Sequence, residues 1–145
     1  MIKIICLGKL KEKYLTELTE DYIKRINKYH KIELIELKDE ENLENEARNI
    51  MKYIGNKDYV ITLEIEGNSL TSEELAKMID NTFITNSAIT FIIGSSEGLH
   101  ESIKKRSSYA LSFSKFTFPH GLFRGILLEQ IYRAFKIINN ERYHK

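Results

Sequence analysis

With 145 residues, 42% of them apolar and 30% charged, the chain is long enough to bury a core as one domain spanning residues 1–145. Its single cysteine, Cys6, excludes an internal disulfide and fits a reducing, cytoplasmic setting, and no apolar stretch approaches the roughly 18 residues that cross a bilayer. The net charge is only +1, yet residues 104–145 carry nine Lys or Arg against two acids, so this end is +7 and the first 103 residues are −6; such asymmetry suits a polyanion-facing end, or equally a solvated basic helix face.

The opening IKIICLG, residues 2–8, is a continuous apolar run closed by glycine, as expected of a strand buried on both faces, with Cys6 a structural thiol. Charges follow this short run at once, unlike a secretory signal. KEKYLTELTEDYIKRINKY (11–29) spaces Tyr14, Leu15, Leu18, Tyr22, Ile26 and Tyr29 by threes and fours, which predicts an amphipathic helix. KIELIELK (31–38) alternates and predicts a half-exposed strand. NLENEARNIMKYI (42–54) predicts a helix whose acidic N-terminal end suits the macrodipole.

YVITLEIEG (59–67) is a strand rich in β-branched residues, again closed by glycine. TSEELAKMIDNTF (71–83) opens with a capping box, Thr71 as N-cap and Glu74 three residues on. AITFIIG (88–94) is the most apolar strand, SSEGLHESIKKRS (95–107) holds a short helix, and YALSFS (109–114) is a fifth strand. GLFRGILLEQIYRAFKIINNE (121–141) predicts a final helix striped by Leu122, Phe123, Ile126, Leu127, Ile131, Ala134, Phe135 and Ile138. RYHK is a basic tail.

Strands alternate with helices throughout, which predicts an open α/β fold with a mostly parallel sheet flanked by helices. Ligands of such sheets bind outside the carboxyl ends of the strands. That rule points to EIEGNS after the third strand, GSSEGLH after the fourth and SKFTFPH after the fifth. Gly94 and Gly98 are spaced G-x-x-x-G, which is neither the dinucleotide fingerprint nor a P-loop. Gly94 reads either as a point of close ligand approach or as a turn residue. SFSKFTFPHGLFR (112–124) holds Phe113, Phe116, Phe118, Phe123, the only proline and two cations. Such aromatics pack a core or a subunit contact, or stack unpaired bases. The four histidines lie far apart and form no metal motif; His30 reads as a solvated helix cap and His100 as an exposed residue of the short helix. No G-x-S-x-G elbow supports serine hydrolysis.

YALSFSKFTFPHGLFRGILLEQIYRAFKI followed by RYHK closely resembles the ribosomal large-subunit methyltransferase H family, minimal members of the SPOUT superfamily. IKIICLGKLKEKYLTE, ITLEIEGNSLTSEELA and FIIGSSEGLHESIKKRSSYALSFS extend the resemblance over essentially the whole chain. Two departures stand out: residues 40–56 look shorter than in relatives, and GSSEG lacks the second glycine common after Gly94. The resemblance implies a C-terminal deep trefoil knot, a homodimer, and S-adenosyl-L-methionine bound in the knot. It implies methylation of N3 of a pseudouridine in a 23S rRNA stem-loop at the ribosomal subunit interface. Leu63 and Gly94 match cofactor-contacting positions of the family, and Phe113, Ser114, Lys115, Phe116, Thr117 and Phe118 match the knot loop around the cofactor. Pro119 then starts the last helix, where its missing N–H costs nothing.

Methyl transfer from a sulfonium expels a neutral group, so the difficult step is removal of the imide proton. The resemblance points to the tail for this: His144 as base or hydrogen-bond partner, Arg142 and Arg133 holding the imide anion or a phosphate, and Tyr143 stacking or orienting the base. In a dimer the tail of one chain can complete the site of the other. The competing readings are a non-enzymatic RNA- or ribosome-binding factor, favoured by the basic C-terminal third, and a flavodoxin-type small-molecule binder. Neither a membrane nor a metal is expected as partner.

Overall fold

The computed structural model describes residues 1–144; Lys145, the last of the tail's bases, lies outside the described residues. Five strands and five helices alternate: β1 (Ile2–Leu7), α1 (Lys13–Ile26), β2 (Ile32–Leu37), α2 (Leu43–Met51), β3 (Tyr59–Ser69), α3 (Ser72–Thr85), β4 (Ile89–Ile93), α4 (Glu101–Arg106), β5 (Tyr109–Ser112) and α5 (His120–Ile138). The sheet order is β2-β1-β4-β3-β5, and every pairing is parallel. Parallel neighbours need crossovers, and the helices supply them on both faces.

The period of two divides the core. Ile2, Ile4 and Cys6 of β1 join Ile61, Ile89, Phe91 and Ile93 against α1, α3 and α5. Ile5 and Leu7 join Val60 and Ile92 against Ala47 and Ile50 of α2 and Ile103 of α4. Strands β1 and β4 are apolar throughout because both faces are covered, whereas edge strand β2 exposes Glu33 and Glu36. Each fully buried side chain such as Phe91 contributes about 1.5–3 kcal/mol. Cys6 is buried, and burial pushes its thiol up to about 12, so it stays protonated and inert.

The capping box of α3 is present in full: Glu74 N–H donates to Thr71 Oγ1 at 3.1 Å, and Thr71 N–H donates to Glu74 Oε1 at 2.8 Å. Helix α2 is shorter than its periodicity predicts and is capped by Asn42, which accepts from Asn45 N–H at 2.8 Å. Pro119 is the cap of α5 rather than its first residue, with φ −57° and ψ 136°. Its φ suits a helix start, but its extended ψ leaves His120 as the first helical residue.

Two histidines depart from expectation. His30 stacks on Phe83 with centroids 4.3 Å apart, so burial lowers its basicity instead of leaving it a solvated cap. His100 is the N-cap of α4, its Nδ1 accepting from Ser102 N–H at 3.1 Å.

Strand β3 runs two residues further than predicted because it bulges. Leu63 and Asn68 both pair with Leu111, so residues 64–67 loop out of the ladder. Gly67 makes the return possible: a Cβ there would lie 2.8 Å from the Ala110 carbonyl group.

Helix α5 ends in a Schellman turn. Glu141 N–H donates to the Lys136 carbonyl and Asn140 N–H to the Ile137 carbonyl, with Asn140 at φ +54°. Asparagine tolerates that left-handed conformation better than most residues, and the turn folds the tail back along α5.

Candidate functional site

All three loops selected by the strand-edge rule converge. The β3 bulge, the loop after β4 and the segment after β5 enclose a cleft of about 620 Å³ at the carboxyl ends of β3, β4 and β5. This volume lies within the usual range for small-molecule sites. Leu63, Gly94, Phe113, Ser114, Phe116, Thr117 and Phe118 all line it; Lys115, between them, is exposed and is not on the wall.

Local chemistry holds this loop. Ser114 Oγ accepts from Phe116 N–H at 3.0 Å, and Ser112 Oγ donates to the Ser114 carbonyl at 3.3 Å. Phe123, from the first turn of α5, meets Phe113 edge-on at 5.1 Å and stacks with Phe118 at 5.7 Å. These two rings are therefore fixed by packing, while Phe116 is 78% exposed beside the opening.

Gly94 is buried, and a Cβ on it would lie 2.6 Å from the Gly98 carbonyl oxygen. Gly98 closes that turn at φ +86°, its N–H donating to the Ser95 carbonyl at 2.9 Å. Gly94 thus shapes the wall by letting its own loop close.

Glu64, Glu66, Leu99 and His120, which lie within the three loops selected by the strand-edge rule, also line the wall. Lys104, on α4, lies outside those loops, and the spacing of glycines and aromatics gives no sign of it. Glu64 accepts from Thr62 Oγ1 at 2.6 Å and lies 4.0 Å from Lys104 Nζ.

A second cleft of about 540 Å³ adjoins the first, outside the ends of β1, β2 and β4. Its floor is organised by Arg124, only 3% exposed. Arg124 donates to the Leu7 carbonyl at 2.7 Å, the Gly8 carbonyl at 2.8 Å and Glu36 Oε2 at 2.7 Å. Its Nε finds no partner among the described residues.

The tail is packed rather than frayed, but it is not at the cleft of its own chain. Tyr143 Oη donates to Glu129 Oε2 at 2.7 Å, its ring meets Tyr132 edge-on at 5.0 Å, and Arg133 lies over its face at 4.8 Å. Burial, and then the bond to Glu129, hold the Tyr143 hydroxyl well above its ordinary range. Arg133 donates to Glu129 Oε2 at 2.8 Å and to His144 Nδ1 at 3.1 Å, and His144 Nε2 donates to Glu73 Oε1. Both nitrogens of His144 are thereby engaged. Arg142 is exposed. Arg133 stands ten positions beyond Phe123 on α5, about 15 Å away at the usual helical rise.

Much of the C-terminal positive charge is also used internally. Arg124, Arg133 and Lys136 pair with Glu36, Glu129 and Glu141, and Arg106 donates to the carbonyls of Gly55 and Asp58. Lys105, Lys115 and Arg142 are the exposed bases of this region without an ion pair among the described residues. Among the described residues no group of three or more His, Cys, Asp or Glu is placed to hold a metal, and no helix is long and apolar enough to cross a membrane.

A parallel sheet with a preformed, aromatic-walled cleft at its carboxyl edge defines a ligand-binding α/β protein. Comparison with known proteins narrows this. The family model described as "Predicted SPOUT methyltransferase" matches residues 1–144. The Ribosomal RNA large subunit methyltransferase H of Clostridium botulinum (strain Alaska E43 / Type E3) is 50% identical, covering 99% of both chains. That of Caldicellulosiruptor saccharolyticus is 46% identical and covers all of both. A probable methylase family protein from Haemophilus influenzae Rd KW20 superposes with a TM-score of 0.58 at 13% identity, over 96% of this chain and 66% of that one, and so shares the fold. The chain belongs to the ribosomal large-subunit methyltransferase H family of SPOUT methyltransferases.

Proposed function

We propose that this methyltransferase uses S-adenosyl-L-methionine to methylate N3 of a pseudouridine in 23S rRNA at the ribosomal subunit interface. The observation that carries the cofactor assignment is the single cleft shared by Leu63, Gly94, Phe113, Ser114, Phe116, Thr117 and Phe118. Its donor set fits an adenosine-bearing sulfonium. Leu63, Leu99, Phe113 and Phe118 offer apolar faces, the backbone of the 94–98 and 113–118 loops offers N–H and C=O groups, and Glu64 and Glu66 offer acceptors for sugar hydroxyls. When bound, the cofactor supplies an electrophilic methyl group on a positively charged sulfur. The protein's own part is to orient the two reactants, exclude water and accept the imide proton.

The 113–118 segment, which shares the cleft wall with the β3 bulge and the 94–98 loop, is proposed as the knot loop, with Lys115 contributing through its backbone. The chain is proposed to act as a homodimer. Tyr14 is 68% and Leu122 38% exposed, beside the place where Gly121 of α5 meets Leu10 and Leu15. This leaves apolar surface next to the cleft for a second copy. Since Arg133, Arg142, Tyr143 and His144 lie away from the cleft of their own chain, their role in transfer is assigned to the partner's site. There Arg142 and Arg133 hold phosphate or the imide anion, and Tyr143 and His144 orient the base. Internal pairing of Arg124, Arg133 and Lys136 weakens the non-enzymatic RNA-binding reading, which needs them outward.

The test has two parts. A thermal-shift screen with S-adenosylmethionine, S-adenosylhomocysteine, FMN and NAD should raise the melting point only with the first two. Methylation of ribosomes, free subunits and free rRNA from a strain lacking the enzyme, with the product nucleotide mapped, should yield one N3-methylpseudouridine. Salt-dependent RNA binding without cofactor affinity would overturn the assignment.

A further inference from the structure

We propose that the second cleft receives the acceptor nucleobase and that His120, at the junction of the two clefts, takes the proton from its N3. The inference rests on the reading of the first cleft as the methyl-donor site.

Three residues line both clefts: Ser95, Ser96 and His120. Donor and acceptor must meet where the two volumes touch, since the nucleophile approaches the methyl carbon from the side away from sulfur. His120 is the only histidine on either wall, and it is exposed. Its backbone is fixed as the first residue of α5, and three and four positions on, that helix carries Phe123 in the donor wall and Arg124 in the acceptor floor. An imidazole with a free nitrogen is a suitable proton acceptor near neutral pH. His144, by contrast, has both nitrogens engaged, by Arg133 and Glu73.

The second cleft also has the chemistry for a base rather than a phosphate. Glu12, Asp39, Glu41 and Glu97 line it, and such carboxylates repel phosphate while accepting from N–H groups. Pseudouridine presents two ring N–H donors, one more than uridine, so an acceptor-rich cleft favours it. Lys9 and Lys11 lie on the rim, where a backbone phosphate can stay outside. Arg124, held to the carbonyls of Leu7 and Gly8 and to Glu36, keeps the floor of this cleft rigid. In the step itself the N3–H bond breaks and its proton passes to the imidazole. The N3 electron pair forms the new N–C bond, while the pair of the sulfonium C–S bond returns to sulfur.

The experiment uses the full chain, with His120→Ala and His120→Gln. Cofactor affinity by calorimetry should stay within about threefold of the unaltered protein, while single-turnover methylation falls on the order of 100-fold or more. Added imidazole should restore part of the rate to His120→Ala only. Independently of turnover, millimolar pseudouridine 5′-phosphate with S-adenosylhomocysteine should move the His120 ring signals in the NMR spectrum. Methylation within threefold in both variants would overturn the proposal, as would a matching loss of cofactor affinity or unmoved His120 signals. If the unaltered protein methylates no pseudouridine substrate, the functional reading fails. The NMR arm then decides the placement alone, and unmoved signals refute it.

Discussion

Replacing Arg124 with methionine tests whether the clefts are held by a buried clamp. Arg124 joins α5 to the ends of β1 and β2 through the carbonyls of Leu7 and Gly8 and the carboxylate of Glu36. Methionine is close in length and apolar, so it avoids a large void, but it orphans two carbonyls. Each unsatisfied buried polar group costs about 1–3 kcal/mol. Glu36 is 31% exposed at its side chain and can be rehydrated, so its loss adds little. Removing the unpartnered Nε–H returns part of the cost. The net expectation is a loss of about 2–4 kcal/mol, a large share of a typical stability of about 5–15 kcal/mol. Urea unfolding by circular dichroism, at one fixed protein concentration because a dimer's stability depends on it, should show a lower midpoint with little change in slope. Glu36→Gln, which keeps an acceptor facing Arg124, should cost about 1 kcal/mol or less. If Arg124→Met falls within about 1 kcal/mol of the unaltered protein, the two carbonyls are satisfied some other way and the clamp argument fails.

Gly94→Val should weaken S-adenosylmethionine binding by about tenfold or more in calorimetry, because its side chain collides with the Gly98 carbonyl; unchanged affinity would mean the loop relaxes freely. Deleting residues 143–145 should leave cofactor binding near normal and abolish most methyl transfer to ribosomes; undiminished transfer would remove the tail from the mechanism. Asp58 carries a pH signature. Burial works against its charge, but hydrogen bonds from Lys3, Gly55 N–H and Thr90 outweigh it and hold the carboxyl below the usual range. A depressed folded value means that its stabilisation is present above the unfolded value of about 3.9 and is lost as pH falls through the folded one. Asp58→Asn should therefore be less stable than the unaltered protein at pH 7, and urea midpoints of the two should converge toward pH 3. A difference that stayed constant over that range would refute the ion-pair account.

The legible part of this protein is local. Strands β1 and β4 are readable because two-sided burial demands unbroken apolar runs, and α1, α3 and α5 because a one-sided helix must repeat its apolar residues every three to four positions. The capping box of α3 is readable because both partners lie three residues apart. The three loops at the cleft follow from strand alternation together with the rule that ligands sit at the carboxyl edge. The family resemblance added the choice of residues within those loops.

Tertiary structure decided what depends on long separations in sequence. Strand order put β5 beside β3, and only that pairing creates the bulge that brings Glu64 and Glu66 to the wall. Arg124 looked like one more C-terminal cation; its burial against β1 and β2 joins groups more than 80 residues apart. The tail read as a basic end available for chemistry, yet the turn at Asn140 lays it on α5 and binds His144 to Arg133 and Glu73. His120 lies between proline and glycine in the chain, and only the meeting of two clefts beside it puts it on the wall of both. Periodicity records which face of an element is buried, because that face is repeated along the chain. It carries no record of which elements meet, and the site is built where they do.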